Sequence, residues 1–300
     1  MFSTFAPARE RLLLRNERFL VEVWPEAGGG VARFDHIETA PRALFRRTVE
    51  KAELRPIDLS CWPLLPYSNR IAQGCFSFHG ETFRIPPHEA SFPHALHGVG
   101  WQSCWRTIDP ATTTCRLALE HMADARWPFD FAASQSFALD DSGLTIVTAL
   151  VNRDDRPMPF GLGQHPYVAR PRGTRLFASV DAVWSIDETS LPVERVPLPE
   201  GWDLRKGCLL DAAVIDNCFE PFRGSVTVVW PDGGALIMEC SDNLRRLVVY
   251  NPAGEDFVCI EPVTHMPDAF NRDASPDCLP PGGGAQVAHR FIYRAPACRP

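Results

Sequence analysis

The sequence predicts an all-β fold, a large antiparallel β-sandwich with few and short helices. Apolar, strand-like runs recur along the 300 residues, and the chain contains 28 prolines and 20 glycines, which break helices and populate turns. Several runs are apolar on both faces, as expected for strands sandwiched between two layers. Many antiparallel strands combined with few helices are typical of a sandwich. Because no repeat or linker interrupts this pattern, we expect a single domain over residues 1–300.

The predicted strands follow one another along the chain and are separated by turn residues. The first ends at Pro25, and the next two flank the tight turn His79-Gly80-Glu81, which is typical of a hairpin. The predicted strands are residues 19–24, 75–78, 82–85, 136–139, 144–151, 226–230, 235–240, 247–250, 257–261 and 287–293. Helix-like periodicity is weak and confined to residues 40–53 and 208–215.

The charge balance and the apolar runs exclude several classes of partner. The net charge is −7, and the arginines occur singly or in short groups, so we expect no nucleic acid to bind. No run approaches the roughly 18 apolar residues of a membrane-spanning helix. The N-terminus lacks the apolar core and cleavage site of a signal peptide. We therefore expect a cytoplasmic protein without a membrane partner.

The ten cysteines are widely spaced and form no CxxC motif, which argues against zinc ribbons and thioredoxin-type redox sites. We expect reduced structural thiols. The pair His94 and His97 suggests a metal, but zinc needs a third protein ligand and none is nearby in the sequence. We expect neither a metal nor an organic cofactor.

Two ionisable residues stand where strands should be apolar. Glu261 ends the run Phe257 to Ile260 and precedes Pro262, so burial should raise its pKa or give it strong partners. His165 follows a glycine-rich stretch and precedes Pro166, which presents its imidazole at a strand edge. Both residues also fit a purely structural role, as a carboxylate paired with an arginine and as a hydrogen-bonded histidine.

Together with three further segments, these residues resemble the aldose 1-epimerase (galactose mutarotase) family. The matching segments, in order along the chain, are Asn69-Arg70-Ile71, His97-Gly98, Leu162-Gly163-Gln164-His165-Pro166-Tyr167, Ile215-Asp216-Asn217-Cys218-Phe219 and Ile260-Glu261-Pro262. The resemblance implies the family's β-supersandwich fold and an isomerase that needs no cofactor. It extends from about Glu22 to Tyr293.

The resemblance also implies roles for individual residues. Glu261 matches the general base that takes the proton from the C1 hydroxyl of the sugar, and His165 matches the general acid that protonates the ring oxygen. Arg70, His97 and Asp216 match residues that bind the sugar, and we add Asn69 to this group. Such a positioned acid and base each contribute about 10²–10⁴-fold to rate.

Aromatic residues are candidates for stacking on an apolar sugar face or for plain packing in the core. They are Trp101, Trp105, Trp127 and Tyr167. Trp101 stands where many members of the family have a basic residue. His265, which follows the Glu261 motif, either supports the site or lies at the surface.

The function that the sequence favours is the interconversion of α and β anomers of a free, glucose- or galactose-like hexose, in a protein that is a monomer or a homodimer. One alternative is an epimerase acting on a hexose 6-phosphate or another modified sugar, which would require an arginine cluster beside the site. The other is a carbohydrate-binding or sensing protein of the same fold without catalysis.

Overall fold

The computed structural model describes residues 10–38, 41–48, 55–272 and 276–297, and these contain 27 strands but only one short α-helix, Ala269–Arg272. The strands, numbered in chain order, are β1 (Leu12–Arg15), β2 (Phe19–Trp24), β3 (Gly30–His36), β4 (Arg42–Ala43), β5 (Pro63–Leu64), β6 (Arg70–Ile71), β7 (Cys75–Phe78), β8 (Glu81–Arg84), β9 (Ala95–Leu96), β10 (Arg106–Thr107), β11 (Thr114–His121), β12 (Phe131–Leu139), β13 (Gly143–Asn152), β14 (Met158–Pro159), β15 (Gly163–Gln164), β16 (Tyr167–Ala169), β17 (Arg175–Ala178), β18 (Ala182–Ile186), β19 (Pro192–Pro197), β20 (Cys208–Leu209), β21 (Ile215–Glu220), β22 (Ser225–Val229), β23 (Ala235–Cys240), β24 (Arg246–Asn251), β25 (Phe257–Val263), β26 (Cys278–Leu279) and β27 (Gly284–Arg294). Short 3₁₀ turns lie at Pro56–Asp58, Ala72–Gly74, Glu89–Ser91, Gly100–Gln102 and Leu210–Ala212.

Two large antiparallel sheets dominate the architecture. The nine-stranded sheet has the order β10-β11-β12-β13-β27-β23-β22-β17-β20. The eight-stranded sheet has the order β19-β18-β21-β24-β25-β15-β5, and β16 pairs with β25 beside this path. Strands β1 to β4 form a separate four-stranded sheet. The predicted all-β supersandwich is confirmed.

The main core lies between the two large sheets. Alternate side chains of each strand point to opposite faces, so Val249 and Ile260 of the eight-stranded sheet join Ile146 and Phe291 of the other sheet in one buried cluster. Gln164 crosses the same interface and donates to Thr148 Oγ1 at 2.8 Å. The opposite face of the eight-stranded sheet therefore remains for a second, smaller cluster and for the polar residues beside it.

The predicted hairpins are present, with small shifts at their ends. The turn between β7 and β8 consists of His79 and Gly80, both in the left-handed region with φ of 49° and 85°, as a two-residue hairpin turn requires. The predicted end of a strand at Glu261 is wrong, because β25 runs on through Pro262 to Val263. Proline removes only one backbone donor, and its φ suits an extended strand.

The helix predicted over residues 40–53 is wrong wherever the structure describes that segment. Residues 41–48 contain no helix, and Arg42–Ala43 instead pairs with β3. Residues 40 and 49–53 lie outside the described residues. In the second candidate, residues 208–215, only the 3₁₀ turn Leu210–Ala212 is helical. In the described part of the chain, no helix is long and apolar enough to cross a membrane.

Candidate active site

The strand register places His165 directly opposite Glu261. Strands β15 and β16 both pair with β25, with Gly163 opposite Val263 and Tyr167 opposite Cys259. The same antiparallel count puts residue 165 opposite residue 261, and cross-strand neighbours of this kind have Cβ atoms about 4.5–5.5 Å apart. An imidazole and a carboxyl from segments about a hundred residues apart in the sequence therefore lie next to each other.

The two side chains are in direct contact. His165 Nε2 lies 3.2 Å from Glu261 Oε1, and the two residues are 6% and 2% exposed. Burial, assisted by the charge of Asp216 and opposed by Arg70, holds the pKa of Glu261 well above its usual value. Burial also lowers the pKa of His165 to about 3, with a further contribution from Arg46. Both shifts favour the neutral forms, so the pair carries one proton over a wide pH range.

His165 lies within a column of stacked groups that we call the aromatic stack. It consists of the rings of Trp101, Trp62, His165 and Tyr167 and of the guanidinium of Arg46. Trp62 stacks on His165 with ring centres 4.0 Å apart, and Trp101 stacks on Trp62 at 4.8 Å. On the other side, Tyr167 stacks on His165 at 4.8 Å, and the Arg46 guanidinium lies 3.4 Å from the centre of the Tyr167 ring. The imidazole is therefore fixed on both faces.

The register of the neighbouring short strands explains this column. Gly163 pairs with Leu64 and Gln164 with Pro63, so Trp62 is the next cross-strand neighbour of His165. The His165 backbone N–H accordingly donates to the Trp62 carbonyl at 2.9 Å. Arg46 is anchored by hydrogen bonds from Nη2 to the carbonyls of Ile57 and Leu59 at 2.8 and 3.1 Å.

A second group of residues, which we call the polar wall, consists of Asn69, Arg70, His97 and Asp216. Asn69 and His97 are joined by two hydrogen bonds. The backbone N–H of Asn69 donates to His97 Nδ1 at 3.0 Å, and the backbone N–H of His97 donates to the Asn69 carbonyl at 2.9 Å. Both are in the left-handed region, with φ of 57° and 59°, a strained conformation that is common at functional sites.

The geometry of His97 defines which of its nitrogens is free to donate. Because Nδ1 accepts the Asn69 N–H, the proton of the neutral ring is on Nε2. Burial and the nearby His165 and Arg70 lower the pKa of His97 well below its usual value. The ring lies 5.3 Å from the His165 ring, centre to centre, so its N–H is available close to the buried pair.

Arg70 and Asp216 form the more exposed part of the polar wall. Arg70 Nη2 lies 3.6 Å from Asp216 Oδ2, and their side chains are 17% and 29% exposed. Asn69 Oδ1 accepts from Arg70 Nη1 at 3.2 Å and so orients the guanidinium. Asp216 on β21 is opposite Tyr250, which is opposite Cys259 on β25, so Asp216 and Glu261 project from the same face of the sheet.

The structure thus brings together all six residues predicted for the site. They are Glu261, His165, Arg70, His97, Asp216 and Asn69. Of the four aromatic stacking candidates, Trp101 and Tyr167 belong to the aromatic stack, whereas Trp105 and Trp127 belong to the main core. His265 supports the polar wall from behind, where its Nε2 accepts from the Ser68 N–H at 3.3 Å.

Sequence reasoning missed two members of the aromatic stack, Trp62 and Arg46. Both are distant from His165 in the sequence and carry no motif of their own, so only the strand register could have found them. His94, the other half of the suspected metal pair, accepts from the Gln73 N–H through Nδ1 at 3.0 Å. All nine cysteines in the described ranges are free thiols; Cys298 lies outside these ranges.

The arrangement can move protons at a bound polar molecule. A buried carboxyl and imidazole in contact can accept one proton and donate another at two neighbouring oxygens. The donors and acceptors of the polar wall can orient hydroxyl groups at the same time. Such a site suits acid–base chemistry on a polyhydroxylated substrate.

Comparison with known proteins identifies relatives of this chain. The model of the aldose 1-epimerase family matches residues 10–289. The uncharacterised Escherichia coli K12 protein YphB is 30% identical over 246 residues, which cover 79% of this chain and 84% of that protein. The uncharacterised protein YihR of the same organism is 27% identical over 69% of this chain and 70% of its own length.

Solved structures agree with the family match. A crystal structure from Escherichia coli K12, described as that of a candidate aldose 1-epimerase, superimposes with a TM-score of 0.87 at 26% identity and covers 95% of this chain and 99% of that chain. A galactose mutarotase-like protein from Clostridium acetobutylicum gives a TM-score of 0.83 at 19% identity, with 94% of each chain covered. At 19% identity, the similarity to the Clostridium acetobutylicum protein shows a shared fold and no more.

Proposed function

Because this chain belongs to the aldose 1-epimerase family, we propose that it interconverts the α and β anomers of a free hexose by opening and reclosing the sugar ring. The observation that carries the proposal is the buried contact of 3.2 Å between His165 Nε2 and Glu261 Oε1, next to the polar wall. Ring opening requires one proton to leave O1 and one to arrive at O5, and this pair offers both functions.

In the proposed mechanism, the proton of the neutral pair first moves from Glu261 to His165 across their 3.2 Å contact. Ionised Glu261 then takes the proton from O1 while protonated His165 gives its proton to O5. The bond between C1 and O5 breaks, and C1 becomes an aldehyde. O1 and O5 are both bonded to C1, so an acid and a base that lie side by side can reach them. The 3.2 Å contact between His165 and Glu261 supports this adjacent arrangement.

The proton count of the pair is the same before and after ring opening. It begins with one proton on His165 and ends with one proton on Glu261, because the proton lost to O5 is replaced by the proton from O1. Burial favours the neutral forms of both groups, so the transfer proceeds toward the charge state that the site prefers. Rotation about the C1–C2 bond followed by the reverse transfers closes the ring on the other face.

The polar wall supports binding of a neutral sugar. His97 Nε2–H, the Arg70 guanidinium and the Asp216 carboxylate offer donors and an acceptor for hydroxyl groups. A phosphorylated sugar would need uncommitted guanidinium groups here, whereas Arg70 is paired with Asp216 and Arg246 with Glu220 at 2.7 Å. These ion pairs favour the free hexose over the hexose 6-phosphate.

Polarimetry on freshly dissolved α-glucose and α-galactose tests the proposal. We expect micromolar protein to accelerate the approach to anomeric equilibrium well above the spontaneous rate. An unchanged rate for every common aldose would overturn the proposal, and sugar binding by calorimetry in that case would favour the non-catalytic alternative. Inhibition by hexose 6-phosphate stronger than by the free hexose would favour the phosphorylated substrate. The cytoplasmic location and the monomeric or dimeric state stay predictions.

A further inference from the structure

One tyrosine interrupts the buried surface of the sheet that carries the acid–base pair. Strand β24 lies inside the eight-stranded sheet, between β21 and β25. Val248 and Tyr250 on this strand point to the same face, yet Val248 is 2% exposed and Tyr250 is 37% exposed. Single exposed aromatic residues at the outside of a protein need no explanation, but the interior strands of a sandwich are normally covered. The layer over this face of the sheet is therefore open above Tyr250.

The strand register places this opening next to the site. Tyr250 is directly opposite Asp216 on β21 and Cys259 on β25. Because Cys259 and Glu261 point to the same face, Tyr250 is a diagonal neighbour of Glu261. Diagonal neighbours are about 7–8 Å apart, a distance that an aromatic side chain can bridge. Tyr250 thus stands between the carboxylate of the polar wall and the base of the acid–base pair.

The surroundings of the Tyr250 ring leave part of it available to a ligand. Phe257 supports the ring from one side, with ring centres 6.5 Å apart, and itself packs edge-on against Tyr167 of the aromatic stack. Within the described ranges this is the one ring contact of Tyr250. Burial raises the pKa of its phenol, and the charges of Asp216 and Arg70 act on that pKa in opposite directions. The ring is therefore neutral and lies near the exposed part of the polar wall.

We propose that Tyr250 is a substrate-binding residue, whose ring packs against the C–H face of the pyranose at the mouth of the site. The inference rests on the proposed function for the identity of the ligand as an aldose. A pyranose carries hydrogens bonded to carbon on its ring faces, which an aromatic ring can bury, while its hydroxyl groups remain accessible to the polar wall. Because an apolar contact is non-directional, it can hold the α and the β anomer alike.

The test removes the ring and keeps the strand. Tyr250→Thr introduces a β-branched residue that suits a strand, whereas Tyr250→Phe removes the hydroxyl alone. The probes are the 1-deoxy forms of glucopyranose and galactopyranose, which lack O1 and cannot open, so calorimetry measures binding without turnover. We expect the Kd to rise about tenfold in Tyr250→Thr, the effect of one aromatic contact. In Tyr250→Phe, most of the affinity should return.

Phe177→Thr is the matched control. Phe177 is a partly buried aromatic residue on β17 of the nine-stranded sheet, so its replacement should leave the Kd of both probes unchanged. Wild-type Kd values in Tyr250→Thr would overturn the role of Tyr250, and a lower Tm of that variant would then identify its ring as part of the packing. Equal losses of affinity in Tyr250→Thr and Tyr250→Phe would also overturn the proposal, because the contact would then be made by the hydroxyl.

Polarimetry on the same variants separates this proposal from the proposed function. If wild-type protein binds the probes through the Tyr250 ring but does not accelerate mutarotation, the proposed function fails and the role of Tyr250 stands. If mutarotation is accelerated and KM is the same in wild type and Tyr250→Thr, only the role of Tyr250 fails. Protein that neither binds the probes nor accelerates mutarotation would overturn both.

Discussion

The aromatic stack and the polar wall border the same buried pair but differ in construction. The aromatic stack fixes His165 between Trp62 and Tyr167 at ring distances of 4.0 and 4.8 Å, and Trp62 is 1% exposed. The polar wall is more open, because the side chains of Arg70 and Asp216 are 17% and 29% exposed to solvent. One side consists mainly of buried aromatic rings, and the other side offers hydrogen-bonding groups to a ligand.

This difference separates two tasks of the site. Burial beside the aromatic stack favours the neutral forms of His165 and Glu261, because burial is the largest cause of both pKa shifts. The exposed donors and acceptors of the polar wall can recognise hydroxyl groups without disturbing that charge state. We therefore expect changes in the stack to alter the rate and its pH dependence, and changes in the wall to alter affinity.

The largest effect should come from Glu261, where the two sides meet. Glu261→Gln keeps the shape of the side chain and removes the base, so we expect kcat to fall by about 10²–10⁴-fold, the usual contribution of one positioned acid or base. Polarimetry with saturating sugar measures this loss.

The matched control for that variant is Glu239→Gln. Glu239 is also on a β-strand but is 54% exposed and 3.8 Å from Arg290, so wild-type rates are expected. If Glu261→Gln itself retains wild-type rates, Glu261 is not the base.

Polar residues in apolar surroundings were the part of the site that could be predicted from the sequence. Glu261 and His165 stand out because burial of an ionisable group is costly, and the family resemblance supplied the residues of the polar wall. The contact between them depends on a register that pairs residues about a hundred positions apart. No local pattern encodes that register, and for the same reason Trp62 and Arg46 could not be found.

The fold class was predictable because periodicity and turn residues are local properties of the sequence. The boundaries of individual strands and helices were less predictable, because pairing with a distant strand overrides a weak local preference for helix or strand. Residues 41–48 carry a faint helical pattern, yet Arg42–Ala43 adds to the edge of β3. Likewise, Pro262 suggests the end of a strand, but pairing with Leu247 on β24 carries β25 past it.

A change in the polar wall should alter binding more than turnover. Asp216→Asn removes the carboxylate that faces Arg70 at 3.6 Å, and we expect KM to rise about tenfold, the effect of one charge-assisted hydrogen bond, with kcat within about threefold of wild type. Because Asp216 raises the pKa of Glu261, the alkaline limit of activity should also move to lower pH.

Asp211→Asn is the matched control for Asp216→Asn. Its carboxylate is 28% exposed and lies 3.7 Å from Arg170 in a different ion pair. Steady-state kinetics should give wild-type constants for this control. If Asp216→Asn lowered kcat alone and left KM unchanged, the assignment of the polar wall to binding would be wrong.

A change at the end of the aromatic stack should alter the pH dependence of the rate. Activity needs one proton on the pair, so it is lost as pH falls through the lowered pKa of His165, about 3, and as pH rises through the raised pKa of Glu261. Arg46 lowers the pKa of His165 across the Tyr167 ring. Arg46→Gln should therefore move the acid limb of the kcat/KM profile to higher pH.

Arg47→Gln serves as the control for charge alone. Arg47 adjoins Arg46 in the sequence, but its side chain is 54% exposed and bonded to Asp35, so the acid limb should stay in place. The groups that also face His165 are Glu261 and His97, and neither changes in these variants. If the acid limb of the kcat/KM profile moved equally in both arginine variants, the position of Arg46 in the aromatic stack would not be the cause of its effect on His165.

The smallest effect concerns stability, and it separates burial of the pair from its chemistry. The folded-state pKa of Glu261 is raised above its unfolded value, so its contribution to the free energy of unfolding is present below the unfolded pKa and is lost as pH rises through the folded pKa. Gln does not titrate. The Tm of Glu261→Gln minus that of wild type should therefore grow between about pH 5 and pH 8, by on the order of a few degrees, whereas the difference for Glu239→Gln should stay constant.

A Tm difference between Glu261→Gln and wild type that shrinks with rising pH would mean that the Glu261 carboxylate is better stabilised in the folded site than in water. Burial beside the aromatic stack could then not be what favours the neutral form of Glu261.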